Sequence, residues 1–299
     1  MKETRITTAS HILYSSERPD GVRRRPSTFR EALSRMLPEG PLAIEIDNFN
    51  NKSLQSILEW AYGSKDWTTT NQDSDWTYKD PSPDSKREWT KELLETYRNL
   101  KAILGWTHDP ETRGHLDPAP GVPVFNSEGK LIGYNPVNFE EESDVDHAIA
   151  DLAKYYYNGG EPDKITTLLA VNEKGKASGA LTIRWKETPY GPQKHKFAYI
   201  ERVIVDPRIR GRGVGTRLID EALRIALEIK KYPEVRTWIM TDAHGWGRVV
   251  ELFGRFGFRQ LQGPDSDWGK FVDRRPGMPK TEREANQYIL EKEDWKKAA

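Results

Sequence analysis

Between Tyr199 and Thr216 the chain reads YIERVIVDPRIRGRGVGT, and this run constrains the fold more than any other. An apolar strand, Phe197 to Val205, meets a turn at Asp206-Pro207, passes glycines at 211, 213 and 215, and opens a helix. That helix carries Leu218, Ile219, Ala222, Leu223, Ala226 and Ile229 at i, i+4 spacing. Such an order builds an anion site. Glycines let the backbone approach a ligand closely, and the first-turn N–H groups and the positive end of the helix dipole favour negative charge. Arg210 and Arg212 add formal charge. The spacing is neither that of a dinucleotide-binding turn nor that of a P-loop, since no Gly-Lys-Ser/Thr closes it.

The surrounding sequence predicts a mixed sheet. Ile165–Val171 and Ala177–Trp185 read as strands flanking the turn Asn172 to Lys176, Val235–Met240 as a strand after the long helix, and Val249, Leu252, Phe253 and Phe256 as the apolar side of a further helix. Ser143 is placed to cap a helix bearing Val145, Ile149, Leu152, Ala153 and Tyr156, preceded by a hairpin around Asn126 to Gly129. A Pro/Gly-rich stretch, Asp117 to Pro123, marks a joint. Before it the chain is mixed and rich in loops. A capping box at Thr28 and Glu31 opens one helix, Pro41 to Phe49 alternates like a strand, a helix begins near Ser53, a polar segment spans Gly63 to Ser85, and Lys86 to Leu104 is helical. The expected division is an N-terminal extension over 1–121, a principal domain over 122–275 and a C-terminal helix over 276–299, opened by the capping box Thr281 and Glu284.

Composition removes several alternatives. With no Cys among 299 residues, a disulfide framework, a thiolate metal site and an acyl-cysteine intermediate are excluded, and a reducing cytoplasm is the expected compartment. No apolar run approaches the roughly 18 residues of a membrane span. The 46 basic and 46 acidic side chains balance, which disfavours a general polyanion binder. Met1 to Met36 nevertheless holds eight Arg and Lys against four acids, so a nucleic-acid contact stays open there. His108, Asp109, Glu111, His115 and Asp117 are metal-capable, yet they lack helical register, and no metal site is expected. Trp60, Trp67, Trp76, Tyr78, Trp89 and Trp106 are read as core and interface anchors rather than stacking platforms.

Arg210-x-x-Gly213-x-Gly215, after a strand ending Val205-Asp206-Pro207 and before a long amphipathic helix, resembles the signature of the GNAT superfamily of acyl-CoA-dependent N-acyltransferases. Leu252-Phe253-Gly254-Arg255-Phe256-Gly257-Phe258 is similar to that family's second motif. The resemblance covers roughly 122–275 and implies an α/β (α+β) fold, a mixed, mostly antiparallel seven-stranded sheet flanked by helices. It further implies a sheet that splays between the strand of Glu201 and that of Trp238, with acetyl-CoA or another acyl-CoA in the gap and an amine attacking the thioester directly. By the same resemblance Val203, Ile204 and Val205 lie along the acyl arm, with a backbone N–H near Val203 polarising the carbonyl. The resemblance likewise implies that the loop Arg210, Gly211, Arg212, Gly213, Val214, Gly215 and Thr216 holds the pyrophosphate.

Aminolysis needs a neutral amine, which is scarce near pH 7 when its pKa is about 10. Glu201 is the candidate base, on the strand face that period two shares with Tyr199 and Val203. It could equally pair with a neighbouring cation or hold a cationic acceptor. The second motif departs from the family's pattern: Phe253 stands where a proton-donating Tyr is usual and Trp246 where an Asn is usual, with His244 the nearest replacement acid or a solvated loop residue. The expected activity is N-acetyl transfer to a primary amine, on a protein or small molecule. The alternative is a fold retained for binding after catalysis was lost, and self-association stays open in either case.

Overall fold

A computed structural model describes residues 45–62, 83–109, 121–127, 131–157, 164–188, 195–240, 246–261, 270–272 and 282–298. The capping box at Thr28, most of the 63–85 segment and His244 lie outside these residues. The strands are β1 Glu45–Asn48, β2 Val122–Phe125, β3 Leu131–Asn135, β4 Ile165–Val171, β5 Ala177–Thr188, β6 His195–Val205, β7 Glu234–Met240, β8 Arg259–Gln260, β9 Lys270–Val272 and β10 Glu282–Glu291. The helices, numbered in chain order, are α1 Asn51–Tyr62, α2 Lys91–Thr107, α3 Glu142–Tyr157, α4 Val214–Leu223, α5 Trp246–Arg255 and α6 Lys292–Ala298. Seven strands pair in the order β1-β4-β5-β6-β7-β10-β8, β9 joins β10 as an eighth, and β2 with β3 forms a separate ribbon. Every pairing is antiparallel except β6 with β7.

Each face of the sheet has its own core. One is closed by α4 and α5, with Leu218, Ile219, Leu223, Phe253 and Phe256 packed on Leu168, Leu181, Ile183 and Ile200. The other is closed by α1, α2 and α3, with Leu54, Ile57, Leu100, Leu104, Ile149 and Leu152 meeting Leu169, Ala180 and Ile204. The N-terminal region thus supplies an edge strand and half of a core, and the expected separation at residue 121 is not seen in the packing. Trp60, Trp89 and Tyr97 meet edge to face, and Trp106 is buried, as expected of core anchors.

Three expectations are corrected. Lys86 lies in a 3₁₀ turn, Pro83–Glu88, and the helix begins later because the Thr90 side chain accepts from the Leu93 N–H and fixes the N-terminus there. Ile229 is exposed and Leu227 buried, because α4 runs into a π-helical turn, Arg224–Ile229, whose wider hydrogen bonding advances the apolar face. The stretch from Thr281, expected as a helix, forms strand β10 from Glu282 onward, followed by the short α6. Gln287, Tyr288, Ile289 and Leu290 are buried in succession, as in a strand covered on both sides, and β7 needs an outer partner. The principal sheet therefore extends past 275 to Glu291.

Candidate functional site

The strand-to-helix turn is organised by Asp206. Its carboxylate accepts the Arg208 backbone N–H at 3.0 Å and the Arg208 guanidinium at 3.0 and 2.7 Å, capping the 3₁₀ turn Pro207–Ile209. Hydrogen bonds from Arg208 hold this carboxyl below the usual carboxylate range, with burial opposing them. Beyond the turn, Gly211 and Gly213 take φ of +79° and +82°, left-handed values that side chains disfavour. Gly213 is the N-cap of α4 and, having no side chain, leaves the end amides uncapped. Val214, Gly215 and Thr216 therefore present first-turn N–H groups that have no intrahelical acceptor. Arg212 is exposed beside them, and Arg210 reaches Asp109 at the end of α2, 3.8 Å away.

β6 and β7 pair over three rungs, Ala198 with Val235, Tyr199 with Arg236 and Ile200 with Thr237. There the pairing ends, although β6 continues to Val205 and β7 to Met240. Past this point β6 is held by β5, through Val205 opposite Gly179, and β7 by β10, through Met240 opposite Ala285. The Thr237 hydroxyl donates to the Ile200 carbonyl at 3.0 Å, closing the last rung. Two strands held, among the described residues, only by their outer neighbours leave a gap between them, at the position the splay was expected. The Asp206 N–H donates to the Ser178 carbonyl at 3.1 Å, which fixes the alternation of the β5–β6 ladder. Ile204 and Arg202 then fall in hydrogen-bonded pairs with β5, whereas the N–H and C=O of Val203 and Val205 are directed toward the gap.

A bulge sits at the same place. The register moves from Thr182 opposite Arg202 to Ile183 opposite Ile200, so Glu201 is an extra residue in β6. Period two breaks there. Tyr199 lies with Glu201 on the α3 side, but Val203 and Val205 face α4, with methyls 3.9 and 3.4 Å from where a Gly215 Cβ would stand. The expected shared face of Glu201 and Val203 is thus corrected, and the cause is the bulge.

Glu201 Oε2 accepts from Arg184 Nε at 2.5 Å and from the Tyr155 hydroxyl at 2.6 Å, and its side chain is 26% exposed. Oε1 takes no hydrogen bond among the described residues. The Arg202 guanidinium lies 4.0 Å from the centroid of the Tyr155 ring. Burial, together with the Glu201 charge, raises the Tyr155 and Tyr199 hydroxyls well above their ordinary pKa, so both stay protonated near neutrality. Burial pulls the Arg184 guanidinium down, and Glu201 more than offsets it, leaving it above its ordinary value. The structure therefore supplies the cation expected as one of the partners of Glu201.

Tyr155, Arg184 and Arg202 were not singled out in the sequence. A signal exists for Arg184: a charge inside the otherwise apolar run LTIRW must find a partner when buried. Tyr155 has none, because its position depends on how α3 crosses the sheet. Phe253 is 3% exposed and stacks edge to face on Phe258 at 5.1 Å, a core position without a proton to give.

The gap, the uncapped glycine turn and the bulge thus stand together at the end of β6. Residues 137–258 match the model of the Acetyltransferase (GNAT) family. It is 33% identical over 70 residues to an uncharacterized N-acetyltransferase of Methanocaldococcus jannaschii, a match spanning 23% of this chain and 29% of that protein. The chain thus spans less than a third of the curated relative's length. Among solved structures, a spermidine N-acetyltransferase mutant of Vibrio cholerae aligns over 67% of this chain and 91% of its own, with 12% identity and a TM-score of 0.42. Arabidopsis thaliana NAA60 in complex with acetyl-CoA aligns over 46% of this chain and 82% of its own, with 16% identity and a TM-score of 0.37. No helix among the described residues is long and apolar enough to cross a membrane.

Proposed function

We propose that this chain transfers an acetyl group from acetyl-CoA, or another acyl group from its CoA thioester, to a primary amine. The observation that carries this reading is the coincidence of the β6–β7 gap with the open N-terminus of α4. Acyl-CoA brings an activated acyl group on a long arm that ends in phosphates. The residues present fit such a molecule: left-handed glycines at 211 and 213, uncapped amides from Val214 to Thr216, and flanking Arg210 and Arg212 make a pyrophosphate cradle. The arm would lie along Val203, Ile204 and Val205, with the Val203 N–H as donor to the acyl oxygen, a group whose fixed direction costs no reorganisation.

Glu201 supplies the proton acceptor through Oε1, directly or across one water, while Arg184 and Tyr155 hold Oε2 and with it the carboxylate plane. The released thiolate needs little help, because a thiol with a pKa of about 8.5 is a fair leaving group, and Phe253 gives none. A binding-only reading is favoured by that same buried Phe253.

The experiment is thermal unfolding of the full chain with acetyl-CoA or free CoA, followed by thioester turnover on a panel of amines. At 100 times its Kd a ligand stabilises by about 2.7 kcal/mol, a plain upward shift. Gly213→Ala, which places a Cβ at left-handed φ in the cradle, should remove most of that shift. Turnover that falls strongly in Glu201→Gln supports catalysis; a CoA shift with no turnover on any amine leaves the binding-only reading, and no shift at saturation sinks both.

A further inference from the structure

The tyrosine that holds Glu201 sits where a helix is least able to hold itself. Tyr155 lies in the last turn of α3, whose final carbonyls have no intrahelical partners, so its place depends on side-chain packing. That packing comes from the N-terminal region. The ring of Tyr156, buried at 4% exposure, meets the Tyr155 ring edge to face at 5.2 Å and stacks on Phe49 at 5.1 Å with 19° between planes. Phe49 is itself pinned between two elements. Its N–H donates to the Thr167 carbonyl at 3.2 Å, extending the β1–β4 pairing, and the neighbouring Asn50 side chain accepts the Ser53 N–H at 3.1 Å at the start of α1. At 6% exposure Phe49 has little room to move. An unbroken run of contacts thus leads from the end of β1 through Phe49, Tyr156 and Tyr155 to Glu201 Oε2, 2.6 Å from the Tyr155 hydroxyl.

We infer that Phe49 is a positioning residue for Glu201: the N-terminal region holds the last turn of α3, and through Tyr155 the carboxylate, in the geometry that proton transfer requires. This rests on the acyl-transfer reading above and deepens it, giving the N-terminal region a part in the reaction. Arg184 on β5 binds the same Oε2, so the carboxylate is clamped between a strand and a helix. The strand side is set by the β5–β6 ladder, and the helix side by the ring stack. Arg202 and Arg184 lie 4.0 and 5.5 Å from the Tyr155 ring centroid and steady its face, while the reach of its hydroxyl follows the α3 backbone. Proton transfer is steep in distance, and a displacement of about 1 Å costs on the order of 100-fold in rate. A leucine at position 49 would keep the core apolar but lacks the flat face on which Tyr156 stacks.

The test uses the full chain with acetyl-CoA and, as acceptors, propylamine, spermidine and a short peptide with a free N-terminus, with rates taken on whichever is acetylated. Phe49→Leu should lower kcat about fivefold and leave the KM for acetyl-CoA within about twofold, since the glycine turn is untouched. Tyr155→Phe, which removes only the hydroxyl, should lower kcat about tenfold. Both losses should vanish in a Glu201→Gln background, because residues that act through one group are not additive. Losses of equal size with and without Glu201, or an unchanged kcat in Phe49→Leu, overturn the inference while acyl transfer stands. If Phe49→Leu shows no thermal transition, Phe49→Met, flexible enough to fill the same space without a ring, is read in the same way. Where no amine is acetylated the transferase reading falls, and carbon NMR of the side-chain carboxyls decides on the positioning. The Glu201 signal, assigned by its loss in Glu201→Gln, should move in both Tyr155→Phe and Phe49→Leu. A signal that stays in place in Phe49→Leu overturns the inference.

Discussion

The sheet face beneath α4 and α5 is filled mostly by aliphatic and phenyl side chains from Val214 to Phe258, whereas the face beneath α1, α2 and α3 buries a polar framework within its apolar core. There Lys86 Nζ sits 2.7 and 2.6 Å from the two Asp146 oxygens and over the rings of Trp60 and Tyr97. The Tyr97 hydroxyl donates to Asp146 at 2.5 Å. On the same side Asn99 Oδ1 accepts the Ala177 N–H at 3.0 Å, tying α2 to the β4–β5 hairpin. At the hairpin turn Gly175 takes φ +70°, a left-handed value that side chains disfavour. One face is closed by shape, and the other specifies how the N-terminal region docks on the sheet. The difference teaches that the N-terminal region is part of the folding unit rather than an appendage.

The strongest way to break this contrast is to remove that region. Leu54, Ile57, Leu58, Leu100, Ile103 and Leu104 are each fully buried, and at about 1.5–3 kcal/mol apiece they contribute on the order of 9–18 kcal/mol, comparable with the whole stability of a domain, about 5–15 kcal/mol. A chain starting at Val122 is therefore expected to lose cooperative unfolding, read by circular dichroism during a thermal ramp. A sharp transition near that of the full chain would show that the rest of the sheet stands without its N-terminal partner.

The unequal legibility of the two faces has the same origin. β4, with bounds at Ile165 and Val171, and the glycine turn were readable because apolar runs and φ-demanding glycines act locally. The gap came from family resemblance, and the three-rung pairing explains it in structural terms. The bulge at Glu201 leaves no mark in sequence, since one inserted residue in a strand looks like any other, yet it turns Glu201 and Arg202 together toward Tyr155. β10 was hidden for another reason. Burial on both sides erases alternation, and the Thr281 and Glu284 pair imitates a helix cap. His244 and Trp246 stay as expectations, the former outside the described residues.

A smaller effect sharpens the comparison between buried and exposed charge. Lys86→Met leaves Asp146, whose side chain is 3% exposed, with a tyrosine hydroxyl as its remaining strong donor, and should cost about 3–5 kcal/mol in denaturant unfolding. Lys86→Met combined with Asp146→Leu should recover most of that loss. On the opposite face, Arg255 pairs with Glu251 one helical turn away in a largely solvated setting, and Arg255→Gln should cost about 0–1 kcal/mol. Equal costs at the two pairs would contradict the claim that the N-terminal face depends on its buried ions.

The smallest effect concerns the turn that leads into the glycines. Asp206→Ala removes the acceptor for the Arg208 N–H and should cost about 0.5–2 kcal/mol, as loss of a helix cap does. The carboxyl's folded pKa lies below its ordinary value, so its charged form contributes stability above the unfolded value of about 3.9, and that contribution is lost as pH falls through the lower folded value. The stability difference between the native chain and Asp206→Ala should be full from about pH 5 upward and shrink below about pH 4. Asp206→Asn separates cap from charge, since its amide oxygen can still accept the Arg208 N–H. It should keep most of the stability at pH 7 and show no acid-dependent loss of its own. Because the Arg208 side chain is 82% exposed, salt should weaken the charged part of the effect and spare the cap. A urea series between pH 3 and pH 7 at two salt concentrations reads both parts. A difference that grows as pH falls would mean that the turn is held by groups other than this carboxylate.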